Sequence, residues 1–440
     1  MFERVFRLSA HGTTVRTEVV AGITTFLTAA YIIFVQPAVL AAAGMDSGAV
    51  LTATCVATAL ATLIMAFGAN YPIVVAPAMG HNFFFAFTVV VAGGTPWQVA
   101  LGAVAIAGIL FILTAGLGLR ELVIRSLPES FTHAISVGIG LLVALIGLEW
   151  GGIIIDSPGT LVALGDLSQP AALLTIGTLA VMAVLHARGV AGATLIGMLG
   201  AAVVALWLGL TQWTGVVSRP PSLAPTFLQL DIRGALTPGL IDAVFVFFFL
   251  ALFDSVGTLV GIASRMGLVR YGSFPRAGQA LMADAVGTVV AAGLGTSTVT
   301  AYVESSAGVA AGGRTGLAAA VTAVLFLVAL FFHPLVELVG GGYASEGGLT
   351  LYPVIAPALL LVGVMMMDGV RQIRWDDFTD ALPAFLAIMV MPLSFSITDG
   401  IAFGLIAYAL LKPATGRGRE LHWLLYVLAV VFVLRYTFLS

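Results

Sequence analysis

In a chain of 440 residues, 60% are hydrophobic and only 9% are charged; soluble domains carry about a quarter charged residues, so a water-soluble globule is excluded and lipid must surround most of the chain. The net charge of −3, with no basic block, excludes nucleic acid as a partner. A single cysteine, Cys55 within an apolar run, excludes disulfides and thiolate metal clusters.

The start, Met1–Glu18, is mixed in charge and lacks the pattern of a cleaved leader, so the first apolar run reads as a span. A bilayer core takes about 20 apolar residues per helix. On that ruler spans are predicted near 19–43, 49–68, 77–92, 97–119, 131–149, 170–187 and 190–210. The polar, proline-rich interval Thr211–Pro238 follows, and then spans near 238–264, 274–293, 302–313, 315–335, 349–367, 379–395 and 398–411. The predicted class is an all-α polytopic membrane protein with 14 transmembrane segments, seven on each side of the interval. An odd number per half turns the halves in opposite directions, the arrangement of inverted-repeat transporters. A last apolar segment, 421–438, falls outside this count: as a span it would send the C-terminus outside, and the sequence does not decide between that, the interface and packing on the cytoplasmic side.

Loop charges support the layout. Arg4, Arg7 and Arg16, Arg120 and Arg125, Arg188, Arg265, Arg270 and Arg276, Arg314, Arg371 and Arg374, and Lys412, Arg417 and Arg419 all fall on one side. The opposite loops, around Asp46, Gly93, Asp156, Gly293 and Glu346, carry almost no Lys or Arg, while the central interval with Arg219 and Arg233 is the exception. The positive-inside rule places the N-terminus in the cytoplasm.

Two stretches at membrane depth do not read as helix. Tyr71–Ala76 is extended in composition and bracketed by Pro72 and Pro77; Thr296–Tyr302, which includes Thr300, is a run of hydroxyl and β-branched residues. Irregular backbone inside a membrane survives only where protein or water satisfies it. The two stretches are therefore expected to pair as short strands, in segments 3 and 10. Each precedes a short helix, with Pro77 expected in the first turn of one of them. Broken helices in corresponding places of the two halves are the best sequence pointer to a transport site.

Ionisable groups inside spans are costly and usually functional. Asp254 lies deep in the eighth span, with Thr258 one turn further on the same face; a structural carboxylate is the plainer alternative. Glu304 opens the half-helix after the second extended stretch, where it serves either as a titrating group or as a helix cap. His81 and Asn82 lie in the opposing half-helix. The Asn82 amide offers donors and an acceptor to the edge of a heterocycle, whereas His81 is as readily a satisfied interior histidine. Phe83, Phe84, Phe85 and Phe87 are candidates for a stacking face, with one or two expected to make contact. Asp284 and Arg314 read as a structural pair or a cytoplasmic gate. No enzyme motif is present: the six histidines are dispersed, and Gly312–Gly316 lacks phosphate-loop spacing, so no metal, cofactor or ATP chemistry is expected.

Several segments together resemble the azaguanine/hypoxanthine/guanine/adenine permease branch of the nucleobase–cation symporter-2 family: AGITTFLTAAYIIFVQP at 21–37, APAMGHNFFFAF at 76–87, LFDSVGTLVGIASRMGL at 252–268, GTSTVTAYVESSAGVAAGGRTGL at 295–317 and MPLSFSITDGIAFG at 391–404. The resemblance covers essentially the whole chain. It implies two inverted sets of seven segments, a core domain (segments 1–4 and 8–11) and a gate domain (5–7 and 12–14). On this chain the domains correspond to residues 1–120 and 238–340 for the core, and 121–237 and 341–440 for the gate. It also implies that Asn82, Asp254 and Glu304 bind substrate, and that proton coupling belongs to Glu304 or Asp254. The sequence departs from that family at Gln36, where asparagine is usual, and at His81, where a small or aliphatic residue is usual.

The expected function is proton-coupled uptake of a purine nucleobase across the bacterial inner membrane, with His81, Asn82, Phe83, Phe84, Asp254, Thr258, Thr300 and Glu304 around the substrate. The expected partners are the base, protons and lipid; homodimerisation is compatible with the sequence. The alternatives are an anion carrier of sulfate or bicarbonate type, disfavoured by two carboxylates at the site, and a membrane-embedded enzyme, for which no convergent nucleophile or metal set exists. A channel would show a repeated charge ring, and none is evident.

Overall fold

A computed structural model describes residues 2–116, 128–268, 274–344 and 350–438. Arg120, Arg125, Arg270 and Glu346, used above for orientation, lie outside those residues. The fold is mainly helical: among the described residues nine helices are long and apolar enough to cross a membrane, and four shorter apolar helices accompany them. In lipid a helix satisfies its own backbone, so apolar runs of this length have no competing structure.

The helices form two packed groups. Val15–Ala29, Ser47–Ile64, Trp97–Gly116, Ala277–Leu294 and Gly316–Ala329 pack against one another, and Glu129–Trp150, Ala356–Met366, Phe378–Ser394 and Ile397–Ala414 form the second group. Glycines permit the closest crossing in the second group. A Cβ added at Gly140 would stand 2.7 Å from the Met366 Cβ, and one at Gly363 would stand 2.8 Å from the Ala144 Cβ. Small residues allow backbones to approach this closely where no water drives helices together.

The two predicted extended stretches do pair. Val75–Pro77 and Val299–Ala301 are antiparallel, with Val75 opposite Ala301, Ala76 opposite Thr300 and Pro77 opposite Val299. The Ala78 N–H donates to the Thr298 carbonyl and the Tyr302 N–H to the Val74 carbonyl, each at 3.0 Å, extending the ladder at both ends. Pro77 therefore belongs to the strand and not to the first helical turn: Ala78 is the N-cap, with extended backbone, and the helix begins at Met79. At the end of this short ladder proline's missing donor is tolerated.

Other boundaries also differ from expectation. The first predicted span is two helices, Val15–Ala29 and Ile32–Ala42, separated at Ala30–Tyr31. The tenth shrinks to Ser305–Ala310, because residues up to Tyr302 are drawn into the strand pairing. Two hairpins were not expected: Ile154–Ser157 pairs with Leu161–Leu164, and Tyr343–Ala344 pairs with Thr350–Leu351.

Segment 421–438 forms a helix packed on the second group. Helix Trp423–Phe438 packs along Ile397–Ala414. At its start the Tyr426 hydroxyl donates to the Gly418 carbonyl at 2.8 Å. At its end Arg435 meets Asp242 at 3.0 Å, and the Tyr436 hydroxyl donates to Asp399 at 2.5 Å. Asp242 and Asp399 stand at the starts of helices whose far ends carry Arg265 and Lys412. The segment thus runs alongside Ile397–Ala414 from one end to the other, and ion pairing anchors its far end.

Candidate functional site

The strand pair leaves two short helices starting at the crossing point, Met79–Phe83 from one half and Ser305–Ala310 from the other. Glu304 is the residue before the second helix. Its carboxylate makes no capping bond to that helix and instead accepts from the Tyr31 hydroxyl at 2.8 Å. The break between the first two helices places Tyr31 there, and the Thr28 hydroxyl also donates to the Glu304 carbonyl at 3.3 Å.

Asp254 comes from the long helix Ile241–Arg265. Its side chain is open to a cavity of about 260 Å3, which Thr258 and Gly257 line one turn further on. Ser255, adjacent to Asp254, is buried and shares a hydrogen bond of 3.1 Å with the Thr300 hydroxyl, so helix and strand are tied together behind the carboxylate. Thr300 is absent from the cavity lining, as are Glu304 and Asn82.

Asp284 has a related supporting task. It is fully buried, and its Oδ2 accepts from the Ala301 N–H at 3.0 Å, holding the strand. It does not pair with Arg314, as the sequence had led us to expect. The Arg314 guanidinium donates to the carbonyls of Val309 and Gly313 at 2.8 and 2.7 Å. Arg314 is thus engaged within its own loop, while the Asp284 Oδ1 has no hydrogen-bond partner. The partner of this loop is Glu18, which sequence reasoning missed: buried, it accepts from the N–H groups of Arg314, Thr315 and Ala318 at 2.8, 3.2 and 3.2 Å. A carboxylate at the start of helix Gly316–Ala329 also suits the helix dipole.

Asn82 is fully buried, and its Oδ1 accepts a short hydrogen bond from the Ser297 hydroxyl while its Nδ2 has no partner. His81 lines the cavity and is 3% exposed; neither ring nitrogen makes a hydrogen bond of good geometry, although the Leu250 carbonyl is close. Phe83 and Phe84 are placed differently from expectation. Both are fully buried; Phe83 stacks on Phe87 with centroids 5.5 Å apart, and Phe84 meets Phe247 edge-on at 4.7 Å. The rings that line the cavity are Phe245, Phe249 and Phe253 on the Asp254 helix, and Phe131 on the opposite helix Glu129–Trp150. Their spacing of four residues on the Asp254 helix was the signal available in the sequence. Thr132, His133 and Ser136 add polar groups to the opposite wall.

A cavity between two helix groups, lined by a carboxylate and aromatic rings and backed by a strand crossing, is a transport site in form. The model of a permease family, Xan_ur_permease, matches residues 16–403. The chain belongs to this family. The permease is 43% identical to the adenine permease AdeP of Escherichia coli (strain K12), over 100% of this chain and 97% of that one. It is 42% identical to the guanine/hypoxanthine permease PbuG of Bacillus subtilis (strain 168), over 99% of each. Among solved structures it is similar to the transmembrane domain of the cyanobacterium bicarbonate transporter BicA, with a TM-score of 0.63 and 18% identity, over 88% of this chain and 97% of that one. Murine Slc26a9 in the inward-facing state gives a TM-score of 0.65 at 11% identity, over 91% of this chain and 68% of that one. These two likenesses show the fold. The permease is a multi-pass transporter of the inner membrane and not an enzyme.

Proposed function

We propose that the permease carries a purine nucleobase together with a proton, by alternating access of a core (residues 1–120 and 238–340) against a gate (121–237 and 341–440) arranged as inverted repeats. The observation that carries this reading is Asp254, open to the cavity, with a second carboxylate, Glu304, that Tyr31 holds at the strand crossing. Two carboxylates suit a neutral ligand with N–H groups and repel an anion. The anion-carrier reading therefore gains nothing from the shared fold. Adenine and guanine/hypoxanthine permeases among the full-length relatives support a purine ligand.

In this reading Glu304 and Asp254 accept base N–H groups, one of them takes the coupled proton, and Asn82 and His81 read the polar edge. Thr258 lies beside the path, and Thr300 keeps the strand in register. Stacking falls to Phe249 or Phe253 rather than to Phe83 and Phe84, whose rings are already packed. The test is uptake of radiolabelled adenine, hypoxanthine, guanine, xanthine, uracil and sulfate by cells lacking their own base carriers. At least one purine is expected to accumulate, and a protonophore to abolish the accumulation. Uptake of sulfate or uracil with no purine transported would overturn the proposal.

A further inference from the structure

A buried polar chain runs beside the strand crossing, and none of its members lines the cavity. Gln36 lies within helix Ile32–Ala42, just before Pro37, and is fully buried. Its Nε2 donates to the Thr296 hydroxyl at 3.0 Å and to the Ser297 hydroxyl at 3.1 Å. Ser297, also fully buried, donates its own proton to the Asn82 Oδ1. Three elements meet through these side chains: the second helix, the extended stretch before Val299–Ala301, and the half-helix after Val75–Pro77.

Counting donors shows the consequence. A serine hydroxyl has one proton. With a Gln36 N–H directed at its oxygen, that proton goes to the other neighbour, the Asn82 carbonyl oxygen. Asn82 then keeps its Nδ2 unpartnered and buried, and a buried donor without a partner is costly. The amide is thereby held as a donor awaiting an acceptor.

We infer that Gln36 is a positioning residue for transport: through Ser297 it fixes the Asn82 amide so that its N–H2 is offered to a ring nitrogen or exocyclic carbonyl of the transported molecule. This deepens the reading of Asn82 as a substrate contact and rests on it. Thr296, the other acceptor of Gln36, is not in the path to Asn82.

The experiment uses the full-length permease and whichever of radiolabelled adenine, hypoxanthine or guanine it transports best. Gln36→Met, nearly isosteric but without the amide, and Ser297→Ala are each expected to raise KM about tenfold at an unchanged maximal rate per molecule in the membrane. The double variant should be no worse than the worse single one, because both break one chain. Thr296→Val should leave KM within twofold. The inference is overturned if Gln36→Met and Ser297→Ala leave KM unchanged, if their effects multiply, or if Thr296→Val matches Ser297→Ala. Should Gln36→Met fail to reach the membrane, the contrast between Ser297→Ala and Thr296→Val decides alone. Asn82→Ala reports separately on the underlying reading: an unchanged KM there removes Asn82 as a contact, whatever Gln36 does.

Discussion

Glu304 and Asp254 differ in surroundings, and the difference separates their roles. Glu304 is bound to Tyr31 and half-buried at the strand crossing, whereas Asp254 stands open in the cavity. A group that takes and releases the coupled proton needs a titratable carboxyl; an amide keeps most of the shape and none of the charge. Glu304→Gln is therefore expected to lose most accumulation against a gradient while retaining exchange of substrate. Asp254→Asn is expected to lose mainly affinity, about tenfold. Uptake as a function of pH, measured beside equilibrium binding on both variants, checks this. Wild-type accumulation and pH profile in Glu304→Gln would reduce Glu304 to a structural residue. Both carboxylates were legible in the sequence because charge inside an apolar span stands out. Tyr31 was not, because its hydroxyl meets a residue 273 positions away.

Between elements, the Arg-rich end of the second helix group is held by a cluster that loop charges alone did not reveal. Lys412 counts in the sequence as a loop charge, yet its side chain is only 2% exposed; it meets Asp380 and Glu420, each at 3.0 Å, and Asp377 at 3.8 Å. Arg374 meets fully buried Asp380 at 2.7 Å, and Arg417 meets Asp377 at 2.8 Å. The start of helix Phe378–Ser394 and the end of Ile397–Ala414 are thereby tied together. Removing one member of a buried pair leaves the other uncompensated, at about 3–5 kcal/mol. Asp380→Asn is expected to lower the thermal stability of the detergent-solubilised permease by several degrees, and Asp380→Leu with Lys412→Met to recover most of the loss. Unfolding followed by size-exclusion fluorescence reads both. The exposed part of the cluster has a defined pH sign. The Thr379 hydroxyl, and then Arg417, hold the Asp377 carboxyl below the usual range. Its contribution is present above the ordinary aspartate value of about 3.9 and is lost as pH falls below it.

At the scale of the whole molecule, arginine asymmetry and the C-terminal helix make one topological prediction. Cysteines placed singly in a Cys55→Ser background should divide by side. Arg188→Cys and Arg265→Cys should react with an impermeant maleimide only after lysis. Gly159→Cys, where a Cβ meets nothing within 4 Å, and Thr437→Cys should react in intact cells. Labelling of Thr437→Cys only after lysis would return the last helix to the Arg-rich side, in conflict with the Arg435–Asp242 contact.

Composition alone determined that lipid surrounds most of the chain and that its apolar runs form helices, because both follow from residues counted locally against a fixed bilayer thickness. The two breaks at Tyr71–Ala76 and Thr296–Tyr302 were equally local, since proline and β-branched runs disfavour helix wherever they occur. Within those limits Asp254, Glu304 and Asn82 could be singled out by chemistry. Tertiary structure decided which partners they have: Tyr31 on Glu304, Ser297 and Gln36 behind Asn82, and Ala301 on Asp284 instead of Arg314. It also turned Phe249 and Phe253 toward the cavity and packed Phe83 and Phe84 away from it. Each of these depends on how buried donors and acceptors on distant segments are satisfied together, or on which face of a helix a neighbour covers, and neither is written in any single stretch of chain.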